Sequence, residues 1–343
     1  MQVSFIVPTL NRMPHVLRAV RSCLNADNMG LTVQVVVSDA GSSDGSWEAL
    51  QQEFGKDSRV VLVRSQPGCG PTENWLNGAQ YVTGDYFTFV WSDDYIAPFF
   101  ITELVPTLQN GAMFAVGGGL ARDVDDNSEI PQDAVVNNLS MEEYLSAYFR
   151  SGGTKWPVSP ACSLFSRAVL EDWKRDVERW STANTLRQNL AWRRGIGPDL
   201  LLYLMAAART APQNGVWIRR GYTAQFSMHA ASITISSSHI VLDVAYWIAA
   251  LWYLSRDDKN LLGKKEYIRF AAAMFFDGIR LLISLHRHNL LREKSTMFAE
   301  LSTLLREVAT RGYRTAFIVE LAATFSRKIN KKLFGLTEAS HAT

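Results

Sequence analysis

The apolar and polar positions divide the chain into two parts. In the first part, short apolar runs alternate with amphipathic stretches. Residues 3–7 are an apolar, β-prone run that stops at Pro8, as expected of the first strand of a buried parallel sheet. Residues 15–24 place Val16, Leu17, Val20 and Leu24 at helical spacing. The alternation continues with a strand at 33–37, a helix at 47–54, a strand at 60–63, a helix at 72–82 and a strand at 87–90. Strand–helix alternation with short loops predicts a parallel α/β sheet. A helix is expected at 97–108 and a strand at 112–116, followed by a flexible turn at Gly117, Gly118 and Gly119. Residues 121–138 are polar and acidic and read as a solvated loop. A strand at 162–165, a helix at 167–173, a helix from Pro198 to 208 and a strand at 217–222 complete this part. From residue 238 the strand signal gives way to helical patterns at 240–254, 264–285, 290–308 and 315–334. The expected organisation is an α/β domain over 1–236, in halves of about 1–110 and 111–236, and an all-helical region over 237–343.

Composition narrows the class. Hydrophobic residues make up 47% of the chain, enough for a sizeable core and too many for global disorder. The formal net charge is only +2, which argues against a dedicated nucleic-acid binder. The three cysteines, Cys23, Cys69 and Cys162, are far apart and form no CxxC; this fits a reducing compartment without a zinc site or a disulfide framework. Met1 leads directly into a strand, with no basic segment followed by an apolar core, so no signal peptide is expected. The run at 240–254 contains Asp243 and falls short of the ~20 residues that span a bilayer. It reads as a buried helix, and the chain as cytoplasmic.

Each loop that follows a parallel strand lies on the same sheet edge, where ligands of open α/β sheets bind. This gathers Thr9, Asp39, Asp44 and Asp93 around one crevice. The stretch Phe-Thr-Phe-Val-Trp-Ser-Asp-Asp-Tyr at 87–95 runs from a buried strand into two adjacent carboxylates. Such a pair repels itself unless a proton or cation intervenes, and Mg²⁺ is typically held by one or two carboxylates plus substrate phosphates. A polar turn is the plainer reading of that stretch. Neither a Gly-x-Gly-x-x-Gly fingerprint nor a Gly-x-x-x-x-Gly-Lys loop is present, which weighs against dinucleotide oxidoreductases and P-loop enzymes. Pro198 and Asp199 make a natural helix start.

Four segments, in order, resemble the family 2 glycosyltransferases. Residues 4–12 (Ser-Phe-Ile-Val-Pro-Thr-Leu-Asn-Arg) look like the family's opening strand and Pro-Thr-x-Asn-Arg loop. Residues 37–46 look like its Val-x-Asp-x-Gly-Ser-x-Asp-Gly segment. Gly84-Asp85-Tyr86 matches the tripeptide before the metal strand, and Ser92-Asp93-Asp94 falls on the Asp-x-Asp-Asp motif. Further on, Asp199 resembles the aspartate of the family's Glu-Asp segment, its catalytic base, and 226–232 (Phe-Ser-Met-His-Ala-Ala-Ser) resembles the Tyr-Arg-x-His-x-x-Ser segment.

The resemblance implies a GT-A fold, a Rossmann-like and mostly parallel sheet flanked by helices. It implies inverting transfer of a sugar from a nucleotide-sugar, a UDP-sugar first, to a hydroxyl of a glycan or lipid-linked acceptor. Asp199 would be the catalytic base. Pro8, Thr9, Asn11, Arg12, Asp39, Ser92 and Asp93 would bind the nucleotide-sugar, with Asp39 reading the base. Asp93 and His229 would hold Mn²⁺ or Mg²⁺, supported by Asp94, Trp91 and Arg220. Three positions depart from the family: Trp91 replaces the first acid of Asp-x-Asp, Ser227 replaces an arginine, and Gly197-Pro198 replace the acid before Asp199. These departures support an alternative, a non-catalytic nucleotide-sugar-binding or scaffold protein on a degenerate transferase fold. The last helix combines Phe317, Ile318, Leu321 and Phe325 with Arg327, Lys328, Lys331 and Lys332. A bundle helix with a solvated basic end is the plainer reading; a basic amphipathic helix of this kind can also rest on an anionic membrane surface, here the cytoplasmic face, and an apolar helical tail can pair with a second copy.

Overall fold

The computed structural model describes residues 1–126, 128–132, 136–140, 143–145, 159–183, 194–210, 214–229, 239–255 and 262–334, without the side chains of 136, 137, 219, 220, 239, 291–293 and 328–334. The described residues form two compact units, one of those up to residue 249 and one of those from residue 250 on.

The first unit is built on a nine-stranded sheet. Its first half alternates as expected: β1 (Gln2–Thr9), α1 (His15–Leu24), β2 (Thr32–Asp39), α2 (Ser46–Phe54), β3 (Val60–Arg64), α3 (Pro71–Ala79) and β4 (Tyr86–Phe89). β2 lies between β1 and β3, and β1 between β2 and β4, all parallel. Both faces of β1 and β2 are covered, which is why they read as unbroken apolar runs. Helix α1 lays Val16, Ala19, Val20 and Cys23 on the sheet; Val16 and Val20 are wholly buried, each contributing about 1.5–3 kcal/mol.

Beyond β4 the sheet becomes mixed. The order β3-β2-β1-β4-β8-β6-β9-β5, with β7 on β9, uses β5 (Tyr95–Ile96), β6 (Phe114–Asp123), β7 (Val136–Leu139), β8 (Ser163–Ser166) and β9 (Val216–Met228). β8 is antiparallel to both β4 and β6, while β9 runs parallel to β6. Helices α4 (Phe100–Gln109), α5 (Leu170–Thr182) and α6 (Pro198–Arg209) complete the layers. The result is the α/β architecture expected from the sequence, a mostly parallel mixed sheet flanked by helices.

Several expectations are corrected. The three glycines taken for a turn lie inside β6, which runs on to Asp123. A Cβ on Gly117 would fall on Thr223 Oγ1 and the Cys162 carbonyl oxygen. The glycines therefore admit neighbouring strands at close range rather than reverse the chain. The stretch taken for a solvated loop contains the end of β6 and most of β7. α5 continues nine residues past its expected end because Trp173, Val177 and Trp180 repeat at helical spacing and are all buried. Gly117→Ala should destabilise the domain by about 1–3 kcal/mol, read as a lower denaturant midpoint with an unchanged slope; an unchanged midpoint would show that β6 and β9 can part at this point.

The second unit is helical. α7 (His239–Ser255) belongs to the first unit up to Ala249, and after it come α8 (Lys264–Arg287), α9 (Leu291–Thr310) and α10 (Arg314–Phe334), close to the boundaries expected. α8 packs on both α9 and α10, burying Phe270, Met274, Leu285, Met297, Leu304 and Phe317. No helix among the described residues is long and apolar enough to cross a membrane.

Candidate active site

Three parallel strands end in one row. Thr9 pairs with Asp39, and Asp39 with Arg64. Pro8, expected to open the loop, is instead buried within β1 and pairs with Ser38. Thr9 is 3% exposed, and its hydroxyl has no hydrogen-bond partner among the described residues. Behind the row, Asn74 of α3 donates to the Ser38 carbonyl (2.8 Å) and the Thr9 carbonyl (3.4 Å), and accepts from Ser38 Oγ and Ser65 Oγ. One side chain thus ties together the ends of β1, β2 and β3.

Asp39 is wholly buried. Its carboxylate accepts from the Gly41 and Ser42 amides and from Ser42 Oγ. Arg64 Nε lies 3.3 Å away, and its guanidinium spreads over the Trp47 ring at 5.2 Å. Asp39 therefore organises its own loop, and Arg64 is the more exposed group of the pair. The β1–α1 and β2–α2 loops clasp each other. The Asn11 amide donates to Ser42 Oγ (2.8 Å), Asn11 Oδ1 accepts from the Ser43 amide (2.8 Å), and the Met13 amide donates to Asp44 (3.0 Å). Asn11 adopts φ of +52° to do so, a region asparagine tolerates better than most residues. Partial burial opposes the charge on Asp44, but hydrogen bonds from Ser46 and the Met13 amide hold its carboxyl below the usual range.

The strand-to-carboxylate stretch forms a tight turn after β4, in which the Asp94 amide donates to the Trp91 carbonyl (2.9 Å). Asp93 Oδ2 lies 2.8 Å from His229 Nε2 and 3.8 Å from Arg12 Nε. Arg18, not singled out from sequence, braces the turn: it donates to the Asp93 carbonyl (2.9 Å), the Val124 carbonyl (2.6 Å) and Ser227 Oγ (3.0 Å). His15 stacks on His229, with ring centroids 6.4 Å apart. Asp94 is buried and accepts from the Ser227 amide (2.8 Å). Burial, and then the charge of Asp93, push its carboxyl well above the usual range. Ser227, in the place of an arginine, thus receives the Arg18 guanidinium instead. Ser92 is buried in the same turn.

Trp91 occupies the place of an acid without leaving a hole. Its indole N–H donates to Ser159 Oγ (2.9 Å), and its ring packs on Trp75 at 4.6 Å. Trp75 also lies against Gly195, so the Asp93 turn and the approach to Asp199 share one aromatic layer.

Asp199 stands in the first turn of α6. Gly197, with φ of +108°, opens the helix against the face of Trp180, a conformation suited to glycine. Trp173 Nε1 donates to the Pro198 carbonyl (2.8 Å). Asp199 Oδ1 accepts from the Gly197 amide (3.1 Å) and the Leu200 amide (2.9 Å), and Oδ2 from the Tyr246 hydroxyl (2.9 Å). The side chain is only 8% exposed. Burial raises its carboxyl to about 6, against the hydrogen bonds that favour the charged form.

Thr9, Asn11, Arg12, Asp39, Asp93 and His229 thus form one continuous set of contacts, and the aromatic layer joins it to the segment of Asp199. The side chain of Arg220 lies outside the described residues. Among the described residues, no group of three or more histidine, cysteine or acidic side chains converges on one point. The Asp93–His229 pair nonetheless suits a small divalent cation. Its 2.8 Å separation is close to that of adjacent ligands around an ion with bonds of about 2.0–2.1 Å, and such ions take the rest of their shell from water and phosphate.

The model of the family described as glycosyl transferase family 2 matches residues 4–174. A glycosyltransferase of Haemophilus influenzae is 34% identical over 28% of this chain and 37% of its own length. The GalNAc(5)-diNAcBac-PP-undecaprenol β-1,3-glucosyltransferase of Campylobacter jejuni is 27% identical over 55% of this chain and 59% of its own length. The chain thus spans less than two thirds of the length of these curated relatives. The crystal structure of S. aureus TarS 1–349 in complex with UDP-GlcNAc superposes with a TM-score of 0.52, covering 91% of this chain and 92% of that one at 14% identity. That likeness establishes a GT-A-like fold. Through residues 4–174, this chain belongs to glycosyl transferase family 2.

Proposed function

We propose that this protein transfers a sugar from a nucleotide-diphosphate sugar, with UDP as the first choice of carrier, to a hydroxyl of a glycan or lipid-linked acceptor, inverting the anomeric centre. The observation that carries the enzymatic reading is Asp199. A carboxyl raised to about 6, at a helix start beside the crevice, is poised to take a proton near neutral pH.

In this reading the nucleotide lies along the row Thr9–Asp39–Arg64, with the unpaired Thr9 hydroxyl available to it. Asp39 acts on the base through the loop it holds and through Arg64. Arg12 and Arg18 set positive charge beside the diphosphate. Asp93 and His229 would hold Mn²⁺ or Mg²⁺, which when bound supplies charge neutralisation for the departing diphosphate. Asp199 Oδ2 takes the proton of the acceptor hydroxyl as its oxygen bonds to the anomeric carbon, opposite the breaking bond to the diphosphate. Attack from that side inverts the centre, and the proton stays on Asp199 until solvent removes it.

Titration calorimetry with UDP, GDP and dTDP, each with Mn²⁺ and with EDTA, tests the donor half. One nucleotide should bind, and at least tenfold more tightly with metal. Equal binding with and without metal would favour the scaffold alternative, and no binding by folded protein would overturn the donor assignment.

The acceptor half leads to the membrane surface. The Campylobacter relative's name specifies an undecaprenol-linked acceptor. On α10 of this protein Ile318 and Val319 are 64% exposed and Phe325 56%, and we place this face at the cytoplasmic membrane surface. The protein should co-sediment with vesicles containing anionic phosphatidylglycerol and not with phosphatidylcholine alone, and Ile318→Glu with Phe325→Glu should abolish that. Sedimentation unaffected by both changes would remove α10 from the contact.

A further inference from the structure

The family comparison stops at residue 174, yet the side chain that touches Asp199 comes from α7. The Tyr246 hydroxyl donates to Asp199 Oδ2 at 2.9 Å. α7 is the first described helix after His229, so consecutive described segments reach Asp93 and then Asp199.

A carboxylate offers about four acceptor positions. Two amides engage Oδ1 and one hydroxyl engages Oδ2. Among the described residues, one position is left, on Oδ2. The amides belong to the helix start and are rigid; without a donor at Oδ2 the carboxylate would present that oxygen with no defined direction. We propose that Tyr246 is the positioning residue of Asp199, fixing the carboxylate so that a single acceptor position on Oδ2 meets the incoming acceptor hydroxyl. This rests on the reading of Asp199 as the base.

The surroundings leave Tyr246 as the tuning group. α5, packed on α6, faces the start of this helix with Trp173 and Trp180. Of its buried acids, Asp172 is held by Arg175 and Arg209, and the largest cause of the displacement of the Asp199 proton equilibrium is burial. That displacement comes from burial, opposed by the backbone amides and by the Tyr246 hydroxyl. The hydroxyl favours the charged carboxylate, so its removal raises the pH at which Asp199 ionises.

The test needs no substrate. In full-length protein labelled with ¹³C at the aspartate carboxyl carbon, the Asp199 resonance is identified by its absence in Asp199→Asn and followed against pH. It should titrate near 6 in the wild type and about 0.5–1 pH unit higher in Tyr246→Phe. Superimposable titrations would overturn the proposal. A reciprocal measurement on wild-type protein, independent of how Tyr246→Phe folds, follows the Tyr246 ring Cζ. Its resonance should move with the same midpoint as Asp199 and lose that step in Asp199→Asn; a resonance indifferent to Asp199 would likewise overturn the proposal. The acid limb of kcat/KM for transfer should shift upward with the carboxyl in Tyr246→Phe, with activity recovered above pH 8. If Asp199→Asn keeps its turnover while the carboxyl shift is present, the base reading falls and the Tyr246 contact stands. If Asp199→Asn is inactive and the shift is absent, the base reading stands and the positioning role falls.

Discussion

Asp199→Asn should lower the rate of sugar transfer by about 10²–10⁴, the usual worth of a general base, while leaving nucleotide affinity within about twofold. The amide keeps the shape and an oxygen for the Gly197 and Leu200 amides, which now bond to Asp199 Oδ1, but it takes no proton. The same residue sets the pH profile. Activity should fall about tenfold per pH unit below its ionisation at about 6, since only the charged form is a base. Stability should move the other way. The carboxyl ionises at about 6 in the fold against an ordinary value of 3.8, so the folded state holds the proton more tightly than the unfolded one. Stability contributed by the neutral form is therefore full below about pH 4 and lost as pH rises through 6. Two pH units at about 1.4 kcal/mol each give an upper figure of about 3 kcal/mol. At pH 7.5, Asp199→Asn should thus unfold at an equal or higher denaturant concentration than wild type. Near-normal transfer by a variant of intact fold would remove Asp199 from the chemistry.

The strands and helices of the first ninety residues were legible because burial on both faces leaves a strong pattern: β1 and β2 are nearly continuous apolar runs. The glycines of β6 were misread because a glycine needed for close approach and a glycine needed for a turn look alike in sequence. What separates them is Thr223, more than a hundred residues away. The family motifs located the carboxylates and the histidine, and the Asp93–His229 contact brings two of them together. The sequence pattern did not reveal how these residues are held. Arg18, Asn74, Arg64 and Tyr246 act through contacts to carbonyls and side chains distant in the chain, and a lone polar residue on an amphipathic helix carries no local mark of such a partner. Arg18, for instance, sits three residues after His15 on α1 and reads as an ordinary charged helix position. Its donors reach the Asp93 turn and β9.

Asp93→Ala should abolish the metal-dependent part of nucleotide binding and reduce transfer by at least a hundredfold. The substitution is a clean one because the turn is held by other atoms. The backbone carbonyl at 93 is bonded by Arg18, and Asp94 is anchored to the Ser227 amide, so both restraints survive loss of the side chain. What is removed is the oxygen beside His229 Nε2. Arg12 and Arg18 remain, and their charge should preserve the weak binding that wild type shows in EDTA. The expected result is therefore convergence: the variant in Mn²⁺ should bind the nucleotide as the wild type does without metal. His229→Ala should fall between the two, because Asp93 still offers a carboxylate and water can replace the imidazole in the ion's shell. The order wild type, His229→Ala, Asp93→Ala in Mn²⁺, lost in EDTA, distinguishes a shared metal site from a simple ion pair. In an ion pair the affinities would not depend on metal at all. The loss of Asp93 would then strengthen binding of the anionic nucleotide, since it would remove a carboxylate charge 3.8 Å from Arg12 Nε. The sign of the change in Asp93→Ala in Mn²⁺ therefore separates a metal-assisted transferase from a nucleotide-binding scaffold.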